Sequence, residues 1–162
     1  MAAQKFKVPM SSPDITNAEI NAVMEVMQTR WLSMGPNYQA FEEAIKAYSG
    51  AEHAISVNSG TAGLHLCIQA AGIGEGDLVL TTPFSFVAST NVIMFENAIP
   101  VMVDVDPVTG NINPALAEQA IEDLMAGGES AQKWLPRKGA EKAGKLKAIL
   151  PIDVFGQPYD AD

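Results

Sequence analysis

The chain has 162 residues, 48% apolar and 18% charged, which is enough for a globular domain with a real core and too apolar for a disordered one. Nineteen acidic against ten basic residues give a formal charge of −9, which excludes nucleic acid or an anionic membrane as the main partner, because either needs a basic face. The single cysteine, Cys67, excludes an internal disulfide or a cysteine metal cluster, and His53 and His65 lack ligand spacing, so no metal site is expected.

In chain order, residues 1–13 form an arm with Pro9 and Pro13. Its start, Met1 to Lys7, lacks the apolar segment of a signal peptide, and no apolar run reaches eighteen residues, so a soluble cytoplasmic protein is expected. Thr16-Asn17-Ala18-Glu19 has the form of a capping box and predicts a helix with the stripe Ile20, Val23, Met24 and Met27, ending near Arg30. Gly35-Pro36 then forces a turn after Trp31-Leu32-Ser33-Met34. A second helix starts near Asn37, carries Phe41, Ala44, Ile45 and Tyr48 on one face, and stops at Gly50.

From there strand and helix alternate. Residues 54–57 read as a strand, and roughly 60–71 as a helix in which Leu64, Cys67, Ile68 and Ala71 share a face, with Cys67 as a small core residue. Residues 77–81 read as a buried strand, 85–96 as a helix and 99–104 as a third strand. Asn113-Pro114 supplies an N-cap and a proline at the first helical position, opening a helix with Leu116, Ala120, Ile121 and Leu124 on its face. The stretch 127–144, lysine-rich from Lys133 onward, is a solvated excursion or mobile loop pinned by Trp134, and 147–154 is the last strand. Four short strands joined by helical crossovers predict an α/β fold, a mostly parallel sheet covered by helices on both faces. Ligands collect outside the carboxyl ends of such strands, where Ser59, residues 82–86, Asp104 and Asp153 would lie.

One stretch on that edge carries chemistry: Asn58-Ser59-Gly60-Thr61-Ala62-Gly63-Leu64-His65-Leu66. A helix start leaves backbone N–H groups without intrahelical partners and adds about half a positive charge from the helix dipole. Ser59 and Thr61 contribute hydroxyl groups, and Gly60 lets an anion approach the main chain, so a phosphomonoester fits; an ordinary Ser or Thr N-cap fits as well. Phe86, at the exit of the next strand, is either core or a stacking surface. A phosphate cradle beside an aromatic face suits a phosphorylated planar heterocycle such as pyridoxal phosphate.

Six stretches in order carry a resemblance: Trp31 to Pro36, Phe41-Glu42, Asn58 to Leu66, Pro83 to Ser89, Val103 to Ile112, and Pro151-Ile152-Asp153-Val154-Phe155-Gly156-Gln157-Pro158. Together they resemble the N-terminal portion of the DegT-like sugar aminotransferases, pyridoxal-phosphate-dependent enzymes of fold type I, from about residue 8 to the last. The resemblance implies pyridoxal 5'-phosphate as cofactor. It also implies a homodimer that moves an amino group, usually from glutamate, to a keto sugar nucleotide, as in polysaccharide biosynthesis. By position, Gly60 and Thr61 would hold the cofactor phosphate, Ser59 would support the turn and Phe86 would stack on the pyridine ring. Trp31 to Pro36 would lie at the active-site mouth, or serve only as a connector.

Residues 1–36 are then an arm, helix and mouth loop, and 37–162 an incomplete cofactor-binding large domain. Family members are more than twice as long. The aspartate that pairs with the pyridine nitrogen and the lysine that anchors the cofactor are expected beyond Asp162, so no catalytic residue is assigned. None of Lys5, Lys7, Lys46, Lys133, Lys138, Lys142, Lys145 and Lys147 sits in a matching motif, and Asp153 is read as a loop cap ahead of a pyridinium partner. The isolated chain is expected to be inactive. Two alternatives stand beside the aminotransferase: a sugar dehydratase of the same family, and a non-catalytic module for dimerisation or ligand sensing.

Overall fold

The computed structural model describes residues 11–161; Pro9 and the start of the expected arm lie outside them. The chain divides into two compact units, one up to Ser56 and one from Val57 onward.

In the first unit, the capping box forms as its sequence predicts. The Thr16 hydroxyl oxygen accepts from the Ala18 N–H, the Glu19 carboxylate accepts from the Thr16 N–H, and α1 (Asn17–Met27) follows. α2 (Pro36–Ser49) opens on its proline and ends where Gly50 takes a left-handed conformation, φ +72°. The apolar stripes exist but are not covered: Ile20, Val23, Met24, Met27, Phe41 and Tyr48 are all exposed.

The strand expected over 54–57 does not form. The backbone of Ser56 finds side chains of α2 instead of a neighbouring strand: its N–H donates to Glu42 Oε1 at 2.8 Å, and its carbonyl accepts from the Tyr38 hydroxyl at 3.3 Å. The Ser56 N–H, followed by the Tyr38 hydroxyl, holds the Glu42 carboxyl below its usual range.

In the second unit, α3 (Gly60–Ala70), β1 (Leu78–Thr81), α4 (Ala88–Phe95), β2 (Ile99–Met102), α5 (Pro114–Ala126), α6 (Gly128–Gln132) and β3 (Leu146–Ile149) build a parallel sheet of order β2-β1-β3. Side chains of β1 alternate between its faces. Leu78 and Leu80 join Ile99, Val101, Ala117 and Ala120 under α5, while Val79 joins Ile68, Val92 and Ile93 under α3 and α4. The sheet is therefore covered on both sides.

α4 starts three residues later than expected, because residues 83–87 are occupied by a turn. The Ser85 N–H donates to the Pro83 carbonyl, and the Ser89 hydroxyl donates to the Phe86 carbonyl at 3.1 Å. Cys67 is exposed, correcting its reading as a core residue; on α3 it is Ile68 that is buried. The middle of α3 is tied to the end of α4 through His65. Its Nε2 lies 2.6 Å from Glu96 Oε1, to which Gln69 Nε2 also donates at 2.9 Å.

The excursion at 127–144 is structured. It contains α6 and a 3₁₀ turn, Ala140–Lys142, and it closes where the Gly144 N–H donates to the Gly76 carbonyl at 2.8 Å. Gly76 has φ +79°, and a Cβ there would sit 2.5 Å from the Lys142 carbonyl oxygen, so this crossing requires glycine. Trp134 pins the stretch by donating its indole N–H to Asp123 Oδ2 at 2.8 Å, beside Lys133 at 2.7 Å from the same oxygen.

Lys133, then Trp134, holds the Asp123 carboxyl below its usual range. A carboxyl whose value is depressed on folding contributes stability above its unfolded value, near pH 4, and loses it as pH falls through the depressed value. Acid titration of Trp134 fluorescence in a Trp31→Phe background is therefore expected to show the anchor releasing below about pH 4. Asp123→Asn should abolish that transition.

Candidate functional site

Two strand exits and one helix start meet at the carboxyl ends of β1 and β3. Gly60 and Thr61 at the start of α3, Ser85 and Phe86 after β1, and Ile152 and Asp153 after β3 line one open hollow of about 510 Å³. Ser85, Phe86, Ile152 and Asp153 also line an adjoining hollow of about 320 Å³ with Phe84 and Phe155.

The start of α3 shows what each candidate contributes. Ser59 is the N-cap: its hydroxyl oxygen accepts from the Ala62 N–H at 3.1 Å, and its carbonyl accepts from the Gly63 N–H at 3.1 Å. Among the described residues, the amides of Gly60 and Thr61 have no such partner. These are two of the donors that every helix start leaves over, here at the positive end of an eleven-residue helix. A Cβ placed on Gly60 would meet nothing within 4 Å, so the space above these amides is open. The Thr61 hydroxyl stands beside them and makes no hydrogen bond of its own among the described residues.

Across the hollow, Phe86 is 79% exposed, so its ring is not part of the core. The turn holds it in place, through the Ser89 hydroxyl bonded to its carbonyl. Asp153 is the one ionisable side chain among the residues lining the larger hollow. Its Oδ1 accepts from the Tyr159 N–H at 3.0 Å, which is loop-capping geometry. Ser59, by contrast, shapes the turn without lining the hollow.

A flat ring with a phosphate tail matches this arrangement. The leftover amides and the Thr61 hydroxyl are donors suited to a phosphate, and Phe86 is an exposed planar face lining the same hollow. No positive side chain lines the hollow, so the amides and the helix dipole are its sources of positive potential.

The model of the DegT/DnrJ/EryC1/StrS aminotransferase family matches residues 13–162. The chain belongs to this family. Among its relatives is the spore coat polysaccharide biosynthesis protein SpsC of Bacillus subtilis, 39% identical over 155 residues, which cover 96% of this chain and 34% of that one. The chain spans about a third of the length of the curated relatives it matches.

Solved structures agree with the fold. A DegT DnrJ EryC1 StrS aminotransferase from Brucella abortus superposes with a TM-score of 0.70 at 32% identity, covering 89% of this chain and 34% of that one. Spr1654 of Streptococcus pneumoniae, assigned as a sugar aminotransferase and solved in its PMP form, superposes with a TM-score of 0.76 at 29% identity, covering 96% and 34%. The same protein has also been solved in a PLP form. The parallel sheet with helices on both faces is that of the PLP fold type I aminotransferases.

Sequence reasoning passed over two residues near this site. Ser89, which holds the Phe86 turn, was legible only as a helix residue. Asn111 was legible only as one of several turn formers, and its partners lie more than forty residues away. Among the described residues no group of three or more His, Cys, Asp or Glu side chains is placed to hold a metal ion, and no helix is long and apolar enough to cross a membrane.

Proposed function

We propose that this chain supplies the phosphate and ring contacts of a pyridoxal-phosphate site in a sugar aminotransferase. The observation that carries the reading is the pair of unpartnered amides at Gly60 and Thr61, two residues that line the same hollow as the exposed Phe86. In this reading the amides and the Thr61 hydroxyl hold the phosphate, Ser59 keeps the turn, and Phe86 covers one face of the pyridine. When bound, the cofactor supplies an electron sink and carries the amino group between donor and acceptor. The residues of this chain bind and orient it, and the apolar walls at Phe86 and Ile152 keep water from the ring.

The overall reaction we propose is transfer of an amino group from an amino acid, glutamate in the first instance, to the keto carbon of a nucleotide-linked sugar. Family membership and the neighbouring sugar aminotransferases support it. Residues 37–162 then form part of the cofactor-binding large domain and 1–36 an arm, helix and mouth loop. In this reading the whole protein works as a cytoplasmic homodimer.

The test is calorimetric titration with pyridoxamine 5'-phosphate, which binds without needing a lysine. Phe86→Ala is expected to weaken binding by about two- to twelvefold, the equivalent of roughly 0.5–1.5 kcal/mol of stacking. The melting free energy should shift by no more than about 0.5 kcal/mol, because the ring is exposed. If the parent protein takes up no pyridoxamine 5'-phosphate, or Phe86→Ala binds it equally well, the reading fails.

A further inference from the structure

Asn111 is 3% exposed, one of few buried polar side chains among the described residues, and every hydrogen bond its side chain makes reaches a distant segment. Nδ2 donates to the carbonyls of Gln157 and Pro158, both at 2.9 Å, and Oδ1 accepts from the Val154 N–H at 3.2 Å. Two acceptors and one donor converge on one side chain, so its amide group can face them in only one way. Aspartate would set an anion against two carbonyls, and leucine would satisfy none of the three groups.

The loop that carries Asn111 is itself braced. The Asp106 carboxylate accepts from the Val108 and Thr109 N–H groups, both at 2.9 Å, the Asp106 N–H donates to the Asn111 carbonyl at 2.8 Å, and Val105 bridges to Ile112. The segment it holds is strained. Phe155 sits at φ +54°, ψ 23°, a left-handed conformation that is unusual for a bulky side chain and persists only where the surroundings impose it. Immediately before it stand Ile152 and Asp153, the third wall of the hollow that Thr61 and Phe86 share. Asn111 lines neither hollow.

We infer that Asn111 is a positioning residue for the cofactor ring: by clamping residues 154–158 it fixes Ile152 and Asp153 opposite Phe86 without touching the ligand. The inference rests on the cofactor reading given above. It separates two halves of the site. The ring half depends on the Asn111 clamp, whereas the phosphate half, built on the start of α3, does not.

The experiment uses the full chain and two probes, pyridoxamine 5'-phosphate and inorganic phosphate, titrated by calorimetry into the parent protein and Asn111→Asp. Asn111→Asp is expected to raise the Kd for pyridoxamine 5'-phosphate about tenfold and to leave that for inorganic phosphate within about twofold. A merely structural role would weaken both probes in parallel, and that result overturns the inference, as does an unchanged Kd for pyridoxamine 5'-phosphate.

Should Asn111→Asp fail to fold, hydrogen exchange of the Val154 amide in the parent protein decides. It is expected to slow when pyridoxamine 5'-phosphate binds and to stay unchanged with inorganic phosphate; no slowing with the former overturns the inference. Parent protein that binds neither probe overturns the cofactor reading and this inference with it. Parent protein that binds pyridoxamine 5'-phosphate while the variant binds it equally well overturns the inference alone.

Discussion

Thr61→Ala is expected to weaken pyridoxamine 5'-phosphate binding by roughly ten- to a hundredfold. A hydrogen bond to a charged group contributes about 1.5–3 kcal/mol, and Thr61 carries a hydroxyl on a residue that lines the hollow at the α3 start. Stability should change by less than about 0.5 kcal/mol, because that hydroxyl makes no hydrogen bond within the described residues. Gly60→Ala extends the argument. The fold accepts the methyl group, since nothing lies within 4 Å of the position a Cβ would take, and in the proposed reading the added methyl crowds a phosphate held on the amides. Affinity should fall with the melting temperature held or slightly raised, as expected for a glycine replaced in a helix. Calorimetric titration beside a thermal melt reads both effects, and unchanged affinity in both variants would remove the phosphate from this end of α3.

Leu80→Ala should produce the largest loss of stability, about 2–5 kcal/mol by the usual cost of emptying a buried leucine site. Leu80 is 0% exposed and lies on β1, the central strand, paired with Val101 on one side and Ile149 on the other. Its side chain packs in the cluster under α5, and its carbonyl accepts from the Leu150 N–H at 2.7 Å. Shortening it opens a cavity at the one strand that both neighbours need. Chemical denaturation measures the loss, and a change below about 1 kcal/mol would mean that the cluster under α5 is not the core. The contrast with Thr61→Ala is informative. One variant loses stability through the sheet, and the other loses ligand with the sheet intact.

The phosphate half of the site was legible in the sequence because its parts are neighbours. Ser59, Gly60 and Thr61 sit on consecutive residues, and the free amides follow from where a helix begins. Phe86 was legible only as a choice between core and stacking. The turn at 83–87, which keeps the ring exposed, depends on the Ser89 hydroxyl and on a helix that starts later than its apolar pattern suggests. Asn111 could not be found this way at all, since its carboxamide is satisfied by groups 43 to 47 residues further on.

By itself the sequence determined the elements whose causes are local: the Thr16 capping box, the Gly50 stop, the Asn113-Pro114 helix start, and the helix start that leaves two amides free. These depend on interactions across a few residues, and such interactions are written in spacing. Only the tertiary structure decided which apolar faces are covered, leaving the α1 stripe and Cys67 exposed while Ile68 is buried. It also decided that Ser56 bonds to Glu42 and Tyr38 instead of to a neighbouring strand, and that Asn111 closes on residues 154–158. Periodicity states which residues share a face; whether anything packs or bonds against that face depends on chain segments far away along the sequence.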